Sequence, residues 1–233
     1  VYDIKNDKIL YEKDAYVVHP IASITKVVSA LVSDEILRPD HKITINQNAL
    51  SQNSNNGLIL DEKWTFKNLL DFSLLVSSND GAYAIASIAG ALQTDSDDIS
   101  TGEPVEDFVS LMNKRVREIG LRNIHFNNPS GLDVNKFVGG GYGTAFEIAK
   151  LFEYITEHNY KVLEITQLQS TSLYSEGNVA HKIKNTNKNI KECISLLLNS
   201  VRWLIKPPSF SFFVIFFFFR FCLIKIYINI FVI

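Results

Sequence analysis

Apolar and polar positions along the chain alternate between two periods. Tyr2 to Tyr11 reads as two short alternating strands around an Asn6-Asp7 turn. From Ile21 to about Leu37 the period changes. Ile24, Val27, Val28, Leu31, Val32 and Ile36 recur at the spacing of one helix face, Ser23 stands in the first turn, and Pro39 marks the stop. A short apolar run, Leu58 to Leu60, precedes Thr65, which is placed to cap a helix with Leu69, Leu70, Phe72, Leu74 and Leu75 on its buried face. Ser77-Ser78-Asn79-Asp80-Gly81 breaks that helix. Asp80 is then expected to cap a small-residue helix from Ala82 to Leu92, whose Ala and Gly content permits close packing. Glu103 to Ile119 has an amphipathic pattern closed by Gly120, and Asn128-Pro129-Ser130-Gly131 is a turn cluster. A loop-rich stretch runs through Gly139-Gly140-Gly141. Thr144 and Glu147 have capping-box spacing for a helix to about His158, and Val162 to about Val179 reads as strand and loop.

Composition narrows the class of protein. A chain of 233 residues that is 46% hydrophobic can bury a core, and a net charge of −2 without a long charge run leaves no electrostatic footprint for nucleic acid or an anionic membrane surface. Cys193 and Cys222 have neither a CxxC neighbour nor a histidine pair at zinc spacing. No initiator methionine or export signal precedes Val1, so any such signal is expected to have been removed or not included.

The composition shifts after about Lys188. Nine of the sixteen phenylalanines lie between Ser209 and Ile233, mixed with Ile, Lys and Asn. Arg220 and Lys225 interrupt this tail, and no run reaches the roughly 20 apolar residues of a spanning helix. Translation of AT-rich DNA out of frame accounts for its residue types better than a membrane segment does. Two regions are therefore expected, 1–187 as a catalytic domain and 188–233 as an anomalous hydrophobic tail.

Candidate chemistry centres on Ser23 and Lys26. Three residues apart near a helix start, they project from one face, so a hydroxyl nucleophile meets an amine that burial can turn into a base. Helix N–H groups at Ser23 are placed to hold a developing oxyanion. A partner Ser-x-Asn has three candidates: Ser51-Gln52-Asn53, Ser54-Asn55-Asn56 and Ser77-Ser78-Asn79. The third lies at a corner between two apolar helices, the rigid setting that a proton relay and a substrate-binding amide need. His19, His41, His125, His158 and His181 show no metal spacing, and the glycine run at 139–141 lacks the strand, helix and lysine of a phosphate loop. No metal, organic cofactor or nucleotide is implied.

Two stretches, Pro20-Ile21-Ala22-Ser23-Ile24-Thr25-Lys26 with Ser29-Ala30-Leu31-Val32, and Leu74-Leu75-Val76-Ser77-Ser78-Asn79-Asp80-Gly81-Ala82, resemble the first two motifs of the serine D-alanyl-D-alanine carboxypeptidases. Asn127 to Asp133, Gly143 to Ala149 and Asn185-Thr186-Asn187 look like further landmarks of that family in its order, the first read as a structural turn. The resemblance implies a mixed α/β (α+β) fold, a β-lactamase-like sheet flanked by helices with a helical subdomain. It also implies that Ser23 forms an acyl-enzyme, Lys26 is its base, Ser77 relays a proton to the leaving amine, and Asn79 holds the substrate backbone and Lys26. The implied partners are peptidoglycan stem peptides ending in D-Ala-D-Ala and β-lactam antibiotics, with membrane association left open, and the implied compartment is the extracytoplasmic cell envelope.

The departure from the family is its third motif. No Lys-Thr-Gly or Lys-Ser-Gly occurs anywhere in the chain, and the terminal strands of the fold are expected to be absent. Alternatives are a catalytically inactive fragment, a DD-endopeptidase, or a β-lactamase relative, the last lacking a convincing Glu-x-x-x-Asn element.

Overall fold

The computed structural model describes residues 1–4, 6–52, 57–93 and 104–187. Ser54-Asn55-Asn56, Asn53, both cysteines and the whole 188–233 tail lie outside them. β1 (Tyr2–Asp3) and β2 (Lys8–Ile9) form the expected N-terminal hairpin, Tyr2 opposite Ile9, with Asp7 at a positive φ of 47° in the turn. β3 (Val18–Pro20) leads into a 3-10 turn, Ala22–Ile24, and then α1 (Thr25–Ile36). The next elements are β4 (Lys42–Thr44), the one-turn α2 (Gln47–Leu50), β5 (Lys63–Thr65), α3 (Phe66–Val76) and α4 (Asn79–Gln93). α5 (Pro104–Glu118), β6 (His125–Phe126), β7 (Gly141–Thr144) and α6 (Ala145–His158) follow. A 3-10 stretch, Tyr160–Gln167, and the hairpin β8 (Ser170–Tyr174) with β9 (Ala180–Lys184) complete the described chain.

Among the described residues every strand pairing is antiparallel. A three-stranded sheet runs β3-β7-β6, with Pro20 opposite Tyr142 and Val18 opposite Thr144; β4-β5 and β8-β9 make separate two-stranded ribbons. The core lies around α1, whose Val28, Ala30 and Leu31 are buried among Trp64, Phe66, Phe72, Phe108 and Phe126. This is the mixed α/β architecture the sequence implies. Burying both long faces of α1 leaves its start, with Ser23 in the preceding 3-10 turn and Lys26 in the first helical turn, at the end of the core between α4 and the 127–131 loop.

Several boundaries differ from the sequence reading, each for a local reason. Ser23 sits in a 3-10 turn rather than the α-helix proper, since Ala22 takes a positive φ of 44° just before it. Ser78, not Asp80, caps α4: Gly81 N–H donates to Ser78 Oγ at 3.1 Å, so the helix begins at Asn79 and Asp80 falls in its first turn. Thr144 caps α6 through Glu147 N–H at 3.1 Å, but the reciprocal half of a capping box is absent. The Glu147 carboxylate instead accepts from the N–H groups of Arg122 and Asn123 and from Asn123 Nδ2. The stretch from Val162 begins as 3-10 helix before β8. β4, α2 and β5 were not anticipated, being too short to establish a period.

Candidate active site

Three elements converge on Lys26 Nζ. α1 supplies the lysine itself, which is only 3% exposed. Its amine lies 3.1 Å from Ser23 Oγ, 2.7 Å from Asn79 Oδ1 at the start of α4, and 2.7 Å from the Ser130 carbonyl in the loop after β6. Burial lowers the Lys26 amine from its ordinary 10.5 to about 7. At neutral pH a substantial fraction is therefore unprotonated.

The geometry then fixes what that amine can do. An unprotonated amine has two N–H donors and one lone pair, whereas a side-chain amide oxygen and a backbone carbonyl only accept. Asn79 Oδ1 and Ser130 O take the two N–H bonds. The lone pair is left for Ser23, whose O–H is the remaining neighbour able to donate. The arrangement is thus that of a base aimed at a nucleophile, and Ser23 is solvent-exposed where a substrate can reach it.

Backbone conformation presents both motifs. Ala22 is held in the left-handed region, which costs a non-glycine residue about 1–3 kcal/mol. The loop opposite accommodates it: a Cβ on Gly131 would lie 1.8 Å from the Ala22 carbonyl oxygen, so only glycine fits against this turn. Ser77 ends α3 at φ 58°, ψ 42°, a left-handed cap that lets α4 start two residues later and brings Asn79 back onto Lys26. The Ser77 hydroxyl is half-buried at the same corner and forms no side-chain hydrogen bond among the described residues.

Of the sequence candidates, the structure brings Ser23, Lys26 and Asn79 into contact and sets Ser77 two residues from Asn79. Ser51, by contrast, spends its hydroxyl on the Asn48 carbonyl at 2.7 Å on an exposed turn, although the neighbouring Gln52 carbonyl lies 3.5 Å from Asn79 Nδ2. Sequence reasoning missed Ser130. Read as part of a structural turn, it contributes a backbone carbonyl, and a carbonyl leaves no residue-type signature. The available signal was Asn128. Its Oδ1 accepts from the N–H groups of Ser130 and Gly131, and its Nδ2 donates to the Leu132 carbonyl, folding the loop so that the Ser130 carbonyl turns inward. Among the described residues no group of three or more His, Cys, Asp and Glu is placed to hold a metal ion.

Known proteins are similar to this chain in sequence and in fold. The family described as D-alanyl-D-alanine carboxypeptidase, peptidase S11, matches residues 1–195. The chain is 28% identical over 191 residues to the D-alanyl-D-alanine carboxypeptidase DacF of Bacillus subtilis, covering 79% of this chain and 44% of that protein. It is 26% identical over 195 residues to a D-alanyl-D-alanine endopeptidase of Escherichia coli, covering 80% of this chain and 56% of that one. Among solved structures, an evolved putative penicillin-binding protein homolog from Mycobacterium tuberculosis superposes with a TM-score of 0.68 at 26% identity, over 82% of this chain and 66% of that one. The chain spans about half the length of the curated relatives it matches.

Proposed function

Because the chain belongs to the D-alanyl-D-alanine carboxypeptidase family, peptidase S11, we propose that it is a serine peptidase of peptidoglycan, with Ser23 as nucleophile and Lys26 as base. The observation that carries this reading is the buried amine, lowered to about 7, held 3.1 Å from Ser23 Oγ with its N–H groups engaged by Asn79 Oδ1 and the Ser130 carbonyl.

Lys26 takes the Ser23 hydroxyl proton as Oγ attacks the carbonyl of the penultimate D-alanine. The tetrahedral adduct collapses with cleavage of the C–N bond. The proton passes from the Lys26 ammonium by way of Ser77 to the leaving amine, which departs as D-alanine. Water then attacks the Ser23 ester as Lys26 takes its proton, and the adduct collapses with cleavage of the ester C–Oγ bond, the proton returning from Lys26 to Ser23 Oγ as the shortened stem peptide leaves. Asn79 holds Lys26 and is positioned to bind the substrate backbone. A β-lactam ring, opened by the same attack, leaves an ester on Ser23. Such a substrate sets the place of action at the extracytoplasmic cell envelope. Among the described residues no helix is long and apolar enough to cross a membrane.

The test is incubation of the purified chain with a fluorescent penicillin, followed by mass spectrometry of the labelled peptide. One adduct on Ser23 is expected, absent in Ser23→Ala. A folded wild-type chain that never acquires it would falsify the reading. With no Lys-Thr-Gly in the sequence, acylation is expected to be about 100- to 1,000-fold slower than in a relative that has the motif, the cost of one oxyanion-hole donor. The likeness to the E. coli endopeptidase supports a second reading, cleavage of cross-links. Assaying a pentapeptide and a cross-linked dimer side by side separates the two.

A further inference from the structure

The Ser130 carbonyl, one of the two acceptors that orient the Lys26 amine, belongs to a loop and needs support of its own. Ser29 stands three residues after Lys26 on α1, on the same helix face. It is 5% exposed, and its hydroxyl donates to the Pro129 carbonyl at 2.5 Å while resting 3.5 Å from Met112 Sδ. Lys26 and Ser29 thus bind successive carbonyls of the same loop, Ser130 O and Pro129 O. Pro129 has no N–H, so its carbonyl is the one backbone group by which it can be held. Asn113 on α5 fixes the approach to the loop, donating from Nδ2 to the Phe126 carbonyl and accepting from the Phe126 N–H, both at 2.9 Å.

We propose that Ser29 is a positioning residue for the reaction: by anchoring the Pro129 carbonyl it sets the Ser130 carbonyl against Lys26 and so aims the amine's lone pair at Ser23. The inference rests on the proposed role of Lys26 as base. Two consequences follow. If the loop slackens, the amine loses an acceptor and turns away from Ser23, so acylation slows even where Lys26 is fully deprotonated. The ammonium form loses the same acceptor while Lys26 stays buried, so its midpoint falls. Lys26 Nζ is surrounded by Ser23 and the rest of α1, by Asn79 with Asp80 next to it on α4, and by residues 127–131, which contain no ionisable side chain. Burial is the cause of its lowered value, and Ser29→Ala removes no charge.

The experiment compares wild type, Ser29→Ala and Ser29→Cys, checked for folding by circular dichroism. Lys26 is titrated through its 13Cε resonance, assigned by its loss in Lys26→Met, and penicillin acylation is followed across pH. In Ser29→Ala the plateau acylation rate is expected to drop about tenfold and the Lys26 midpoint to fall below about 7. Ser29→Cys, which keeps the size and a weaker donor, should lie between. A folded Ser29→Ala protein with an unchanged or raised Lys26 midpoint and an unchanged plateau overturns the proposal. Should Ser29→Ala not fold, Ser29→Cys carries the same test, and wild-type values for it are the overturning result. Absence of any adduct in wild type would sink the peptidase reading alone, because the titration remains readable without catalysis.

Discussion

Lys26 is where protonation, burial and reactivity meet in one residue. Its amine is held near 7 in the folded chain against 10.5 when exposed, so the acylation rate should climb as pH rises through about 7 and level off above it. Stability follows the same sign. Between pH 7 and 10.5 the unfolded chain binds the proton that the folded chain has released, so stability rises with pH across that window, by a few kcal/mol at roughly 1.4 kcal/mol per unit. Below about 7 both states carry the proton and the slope vanishes. Urea unfolding of wild type and Lys26→Met at pH 7 and 9.5 checks this: the gain should be present in the first and missing in the second. How much of this was legible in the sequence depends on which atoms do the work. Ser23 and Lys26 could be read because their three-residue spacing brings two side chains together on any helix. Asn79 could be read from its corner between apolar helices. The Ser130 carbonyl could not, since main-chain acceptors are identical at every position and their direction depends on loop geometry alone. Nor could the left-handed Ala22, whose conformation is tolerated because Gly131, more than a hundred residues later, leaves room for its carbonyl.

At the scale of elements, caps and small residues decide how closely the helices around the site approach. Thr65 was readable as a cap, and its Oγ1 accepts from the Asn68 N–H at 3.3 Å. The start of α4 was misplaced because Ser77, Ser78, Asn79 and Asp80 are all good capping residues and sequence alone does not say which takes β-region dihedrals. The small-residue pattern of α4 was informative. A Cβ on Gly90 would lie 1.8 Å from the Pro104 carbonyl oxygen and 3.3 Å from Phe108 Cβ, so α4 and α5 touch nearly backbone to backbone. Gly90→Ala should therefore destabilise the fold in spite of the roughly 1 kcal/mol that alanine gains in helix propensity. A backbone oxygen in a helix cannot rotate away as a side chain does, and overpacking of this kind costs about 1–3 kcal/mol. The helices would separate, and α5 carries Asn113, so the 126–131 loop would shift with it. A lower melting temperature together with slower acylation is the expected outcome. A melting temperature above wild type would mean that α5 gives way to the added methyl and that helix propensity outweighs the close approach.

Across the whole molecule, the last described strands return the chain to the site. β8-β9 packs along β5 and α3: Glu176 N–H donates to the Lys63 carbonyl, Asn68 Nδ2 to the Tyr174 carbonyl, and Thr186 N–H to the Leu75 carbonyl, two residues before Ser77. The hairpin is pinned near its turn by a buried pair, His181 of β9 with Glu62. His181 Nε2 and Glu62 Oε1 are 2.6 Å apart with side chains 9% and 5% exposed, and the imidazole lies 4.8 Å from the Trp64 ring and 5.9 Å from that of Phe72. None of this long-range contact was visible in sequence, where His181 read as one of five histidines without a partner pattern. Desolvation works to raise the Glu62 carboxyl, but the hydrogen bond from His181 and the nearby Ser175 and Trp64 outweigh it, and the net effect holds Glu62 below its ordinary 4.5. Removing the imidazole leaves a buried carboxylate without its main partner. His181→Ala should cost about 3 kcal/mol at neutral pH, a fall of about 10 °C in melting temperature for a domain of this size. A carboxyl with a lowered value contributes stability above its unfolded value and loses it as pH falls through the folded one. The gap between wild type and His181→Ala should therefore be widest at neutral pH and narrow as pH falls below the ordinary carboxyl value of 4.5. Thermal melts of both proteins from pH 3 to 7 measure that gap. A constant difference would mean that the imidazole acts by packing against Trp64 and Phe72 rather than through Glu62.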